Sequence, residues 1–164
     1  MKNIILIGMP GAGKSTVGVV LAKNLGMSFI DSDLVIQEKK GKKLQELIEE
    51  FGTKGFKKIE DEINASIDVK NTIIATGGSV VYGENAMKHL KEIGRVCYLQ
   101  LSYKAISERL GDLAKRGVVL EKNQTLKDLY DERVPLYEKY ADLVIPCEDK
   151  NIREVVEYIV DKIG

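Results

Sequence analysis

An excess of charge of either sign is missing from this chain. Its 164 residues carry 25 Lys and Arg against 25 Asp and Glu, so no net field draws it toward nucleic acid by counterion release. A small-molecule partner is expected instead. Cysteine is scarce: Cys97 and Cys147 are the only two, and each lies inside an apolar run. They have neither the spacing of a metal site nor the number needed for a disulfide framework, and they read as buried small hydrophobes. No apolar stretch approaches the ~20 residues that cross a bilayer. The opening residues enter a strand pattern directly, with nothing resembling a leader. A soluble, cytoplasmic protein with no membrane partner is expected, acting as a monomer. The lone His89 lies in Met87-Lys88-His89-Leu90 and reads as a surface helix residue.

What is present begins at Gly8. Residues 8–15 read Gly-Met-Pro-Gly-Ala-Gly-Lys-Ser, a complete G-x-x-x-x-G-K-[ST] loop that follows the apolar run Asn3-Ile4-Ile5-Leu6-Ile7 and opens into a helical pattern. Glycines let consecutive backbone N–H groups curl around phosphate oxygens, and the helix N-terminus adds its partial positive charge. Gly11, Ala12, Gly13, Lys14, Ser15 and Thr16 are the expected nucleotide-binding residues. Lys14 reaches the β- and γ-phosphates, and Ser15 is placed to ligate Mg²⁺. ATP is the expected co-substrate.

The hydrophobic fraction of 44% suffices for one sheet-and-helix domain over 1–164. Strands are expected at 2–7, 28–31, 72–76, 95–101 and 143–146. The first, third and fourth lack polar alternation, as parallel strands covered on both faces do. Helical stripes lie between them: Val17, Val20, Leu21 and Leu25; then Ile106, Leu110 and Leu113; finally Val155, Val156, Ile159 and Val160. Alternating strands and helices predict a three-layer α/β fold with a parallel sheet and ligands at its carboxyl edge. Two regions interrupt the rhythm. Residues 34–69 are too long for one crossover helix and predict two or three short helices broken near Gly41 and Gly52, a natural place to hold an acceptor. Residues 114–124, with Lys115, Arg116, Gly117 and Lys122, read as a basic lid.

Further residues point to chemistry. Asp31-Ser32-Asp33 sits where the second strand ends. Extended residues two apart share a face, so both carboxylates are expected at the phosphate site. One suits Mg²⁺ held through water, and the other suits a hydroxyl proton; helix capping by one of them is the alternative. Gly77 and Gly78 permit close backbone approach to a ligand. Arg133 falls on the apolar face marked by Leu126, Leu129, Tyr130, Tyr137 and Tyr140, where an arginine needs a ligand or a partner. Pro135 is expected to kink that helix.

Together these pieces resemble the shikimate kinase family of small P-loop metabolite kinases. The likeness runs through the P-loop, Phe29-Ile30-Asp31-Ser32-Asp33, Gly55-Phe56-Lys57-Lys58-Ile59-Glu60, Ala75-Thr76-Gly77-Gly78, Arg116 and Glu132-Arg133-Val134-Pro135-Leu136-Tyr137. It implies a five-stranded parallel sheet of P-loop kinase type and ATP-dependent phosphorylation of shikimate to shikimate 3-phosphate. By it, Asp33, Lys57, Gly77, Gly78 and Arg133 would hold the acceptor, Arg116 would fold over the phosphates, and Arg109 would lie beside the adenine. Lys14, Asp33 and Arg116 would be catalytic, and Ser15 and Asp31 would hold the metal.

Three positions depart from the family pattern: Lys57 replaces an arginine, Ser79 ends a glycine triplet, and Gly117 stands where a proline usually follows the lid arginine. The lysine offers a point charge where guanidinium would offer a planar fork to a carboxylate. An altered acceptor, such as another polyol acid of the kind gluconate kinases use, therefore stays open. So does a nucleotide-dependent regulatory module with little turnover.

Overall fold

The computed structural model describes residues 2–111 and 123–163; the expected lid, with Arg116 and Gly117, lies outside them apart from Asn123 and Gln124. Five strands form one parallel sheet: β1 (Asn3–Ile7), β2 (Ser28–Asp31), β3 (Thr72–Ala75), β4 (Gly94–Gln100) and β5 (Leu143–Pro146), in the order β2-β3-β1-β4-β5. The central strand β1 pairs Ile5 with Ile74 on one side and with Val96 on the other. All of β1 and all of β3 are buried, which is why their sequences lack polar alternation. Cys97 and Cys147 lie in this core as free thiols.

Seven α-helices and one 3-10 turn (Val80–Tyr82) complete the described residues: α1 (Lys14–Leu25), α2 (Ser32–Lys40), α3 (Leu44–Ala65), α4 (Glu84–Ile93), α5 (Tyr103–Leu110), α6 (Leu126–Tyr140) and α7 (Ile152–Ile163). On α1 the buried face is Val17, Gly18, Leu21 and Ala22, whereas Val20 is exposed. Gly18 allows close packing on the sheet: a Cβ there would stand 2.6 Å from the ring of Phe29 on β2.

The segment after β2 breaks where glycine permits it. Gly41 ends α2 at φ 66°, and Gly52 interrupts α3 at φ 73°, a left-handed region that other residues enter at a cost. These helices bury a small core of their own, Ile36, Leu47, Phe56 and Ile63, separate from the main one around the sheet. Each such side chain contributes about 1.5–3 kcal/mol on burial, so the second core braces the two helices as a unit. Helix α6 runs as one element through Pro135. His89, expected at the surface, is half-buried, with Nε2 2.6 Å from the carbonyl of Ile67. No described helix is long and apolar enough to cross a membrane.

Candidate active site

Because β1 and β3 are neighbours, the loops leaving their carboxyl ends lie side by side. The β1 loop is Gly8–Gly13. Gly11 and Gly13 adopt φ 84° and 90°, the left-handed geometry that turns consecutive amides to one side. Lys14, the first residue of α1, is buried and donates from Nζ to the carbonyls of Gly8 at 2.7 Å and Met9 at 2.9 Å. Burial lowers its ammonium to about 8, opposed chiefly by the charge of Asp33.

Next in the loop's path, the exposed Ser15 Oγ donates to Asp31 Oδ2 at 2.7 Å, while Asp31 Oδ1 accepts from the backbone N–H of Asp33 at 2.9 Å. Asp31 is thus both the N-cap of α2 and a partner of the phosphate-loop serine. The capping and site readings hold together at one residue. The extended relation expected between Asp31 and Asp33 does not: α2 begins at Ser32, so Asp33 stands in its first turn. It still reaches the cavity wall, through helical rather than strand geometry. Burial, then the nearby Asp31 charge, pushes the Asp33 carboxyl up to about 6, against the pull of Lys14.

A cavity of about 310 Å³ opens between the two loops. Gly11, Lys14, Ser15 and Thr16 border it on one side, Gly77, Gly78 and Ser79 on another, and Asp33, Glu60 and Arg133 converge on it. The glycines are spatial necessities. A Cβ on Gly77 would stand 2.6 Å from Asp33 Oδ1 and 3.0 Å from Glu60 Oε2; one on Gly78 would stand 2.8 Å from both Arg133 Nη1 and Pro10. Arg133 is only 1% exposed. Its Nε donates to the Tyr82 hydroxyl at 3.4 Å, and its guanidinium lies 5.4 Å from that ring. Lys57 is not among the residues lining this cavity; its ammonium lies over the same Tyr82 ring, 4.0 Å from the centroid. Tyr82 therefore gathers both basic residues expected to meet the acceptor.

A second cavity, of about 560 Å³, adjoins the first at Gly13 and Thr16. Ala12, Arg109, Cys147 and the stretch Lys150, Asn151, Ile152 and Arg153 line it. Arg109 donates from Nη1 to the carbonyl of Gly11 at 3.1 Å, which fastens α5 to the phosphate loop. Its place suits a flat base beside the guanidinium.

Sequence reasoning gave no role to Glu60, Tyr82 or Tyr137. Glu60 is 2% exposed and accepts from Ser79 Oγ at 2.5 Å; burial pushes its carboxyl up to about 7, opposed by that hydrogen bond. Tyr137 donates to the carbonyl of Gly78 at 2.6 Å and stacks on Tyr98 at 5.1 Å, so it pins the glycine loop from below. The available signals were position within the motif segments 55–60 and 132–137, and the helical phase that places Tyr137 one turn beyond Arg133.

The donor set fits Mg²⁺. A hydroxyl and a carboxylate oxygen, hard and partly exposed, meet beside the phosphate loop. No cluster of three or more acidic, His or Cys residues suited to a metal occurs among the described residues, and Mg²⁺ in such sites takes few protein ligands, completing its shell with water and phosphate.

Known proteins agree with this architecture. The family model described as shikimate kinase matches residues 10–164. A shikimate kinase of Thermodesulfovibrio yellowstonii is 41% identical over 98% of this chain and 94% of its own length. Among solved structures, shikimate kinase from Acinetobacter baumannii in complex with shikimate superposes with a TM-score of 0.89 at 33% identity, covering 99% of this chain and 93% of that one. The Aquifex aeolicus enzyme gives 0.83 at 30%, covering 98% and 95%. The sheet, the phosphate loop and a match across nearly the whole length lead to one conclusion: the chain belongs to the shikimate kinase family.

Proposed function

We propose that this protein transfers the γ-phosphoryl group of ATP to a hydroxyl of shikimate. The observation that carries the reading is the 310 Å³ cavity in which the phosphate loop, Asp33 and Arg133 face one another. Lys14 neutralises charge developing on the transferred group. Ser15 directly and Asp31 through water would hold Mg²⁺, which supplies further charge neutralisation at the phosphates. Gly11 to Thr16 cradle the triphosphate, and Arg109 flanks the base.

Arg133 binds the acceptor carboxylate, Lys57 adds positive charge from beside Tyr82, and the backbone of Gly77 and Gly78 comes close to the acceptor ring. Asp33 accepts the hydrogen bond of the attacking hydroxyl and is placed to take its proton as oxygen bonds to the γ-phosphorus and ADP leaves. Residues 34–69 serve as the acceptor-binding part of a single domain, and residues 114–124 as a lid that brings Arg116 over the phosphates and excludes water. The balanced charge supports small-molecule partners only, and the same reading takes the enzyme as a cytoplasmic monomer.

A coupled ADP-release assay over a panel of hydroxy-acids tests this. Shikimate should stimulate release strongly over the no-acceptor background. Stimulation by gluconate but not shikimate would reassign the acceptor, and stimulation by none would leave a nucleotide-binding module.

A further inference from the structure

Ser79 and Glu60 form a buried pair that the phosphoryl-transfer account does not use. Ser79 is 4% exposed and Glu60 2%. Both line the cavity that holds Asp33 and Arg133, yet neither belongs to the phosphate loop. Ser79 follows Gly77 and Gly78 in the same loop, and its hydroxyl is a donor that glycine cannot offer. That hydroxyl is committed: it donates to Glu60 Oε1 at 2.5 Å. The other carboxylate oxygen, Oε2, borders the cavity beside Gly77, 3.0 Å from where a Cβ would stand.

A carboxylate with one oxygen tied cannot rotate freely, and its second oxygen is presented in a fixed direction. We propose that Ser79 is a positioning residue for the acceptor: its hydrogen bond locks Glu60 so that Oε2 accepts from an acceptor hydroxyl, making the pair a specificity element on the polyol side of the cavity. The inference rests on the reading of this cavity as the acceptor site.

The surroundings favour an anionic Glu60 only weakly. Asp33 on α2 repels it, whereas Arg133 on α6, Lys57 on its own helix and Lys14 on α1 attract it, with the Tyr137 hydroxyl also nearby. Burial pushes the carboxyl to about 7, and the Ser79 hydrogen bond restrains that rise. Loss of the hydroxyl therefore removes the orientation and lowers the charged fraction at neutral pH.

The test is steady-state kinetics of wild type, Ser79→Ala, Ser79→Gly, Glu60→Gln and the Ser79→Ala/Glu60→Gln double variant from pH 6 to 9. Ser79→Ala should raise the shikimate KM by about tenfold at pH 7, the worth of one charged hydrogen bond, with the ATP KM unchanged. The acid limb of kcat/KM for shikimate should move to higher pH. Adding Ser79→Ala to Glu60→Gln should then cost almost nothing more, because the two act as one unit. An unchanged shikimate KM in both Ser79 variants, or penalties that simply multiply in the double variant, would overturn the proposal. Should the Ser79 variants fail to fold, wild type and Glu60→Gln decide: identical acid limbs in those two also overturn it. Absence of shikimate turnover in wild type is a different failure, that of the acceptor assignment itself.

Discussion

Two carboxylates crowd the same space beside Gly77, and burial raises both: Asp33 to about 6 and Glu60 to about 7. For Glu60 the consequence for stability has a definite sign. Its folded value lies above the ordinary 4.5, so the native state holds the proton more tightly than the unfolded chain does. Stability contributed by this group therefore falls as pH rises from 4.5 through 7, and the cost is complete above that range. Glu60→Gln should accordingly be more stable than wild type at pH 8, by about 1–3 kcal/mol. The advantage should vanish by pH 4. Urea unfolding at both pH values checks this, and a gap that stays constant with pH would contradict it. A buried acid that weakens the fold is what a functional pocket carries and a structural core avoids.

At the level of elements, the glycines of α1 and the basic residues of α3 and α6 set the geometry. Gly18 lets α1 lie against β2, so Gly18→Ala should force Phe29 aside and cost about 1–3 kcal/mol by overpacking. Thermal unfolding reads this directly, and an unchanged Tm would mean that Phe29 has another place to go. Lys57 and Arg133 meet at Tyr82 from different helices. An arginine at 57 could keep the ring contact while presenting two coplanar donors to a carboxylate. Lys57→Arg should thus lower the shikimate KM by up to about tenfold; a rise would mean that the lysine is matched to its pocket as it stands.

These elements also show what the sequence displays and what it hides. The strands are legible because buried parallel strands are continuously apolar, and Gly41 and Gly52 are legible as breaks because few other residues take their φ. Arg133 is legible because charge on an apolar face demands a reason. Val20 is misread because apolar periodicity cannot reveal that Gly18, with no side chain, lies on the buried face against Phe29. Glu60 goes unassigned because a single acid on a charged helix looks like any solvated residue until the fold encloses it. Asp33 reaches the expected place by a different route, since the helix starts one residue after the strand ends.

Across the whole molecule, the sheet order puts the loops of β1 and β3 side by side, and the end of β2 adds Asp31 and Asp33. Two adjoining cavities that share Gly13 and Thr16 then open at one edge, where the proposed function puts nucleotide and acceptor. Tyr137 ties the Gly77–Gly78 loop to the sheet through Tyr98, and Arg109 ties α5 to the phosphate loop. In the proposed reaction a phosphoryl group crosses from nucleotide to acceptor. Mass spectrometry of purified protein incubated with ATP, Mg²⁺ and shikimate tests it most directly, with Lys14→Met as the control. In wild type, shikimate should gain one phosphate in step with the appearance of ADP. In folded Lys14→Met that conversion should fall by about 10²–10³-fold or more. Unmodified shikimate in the wild-type reaction, or undiminished conversion by the variant, would contradict it.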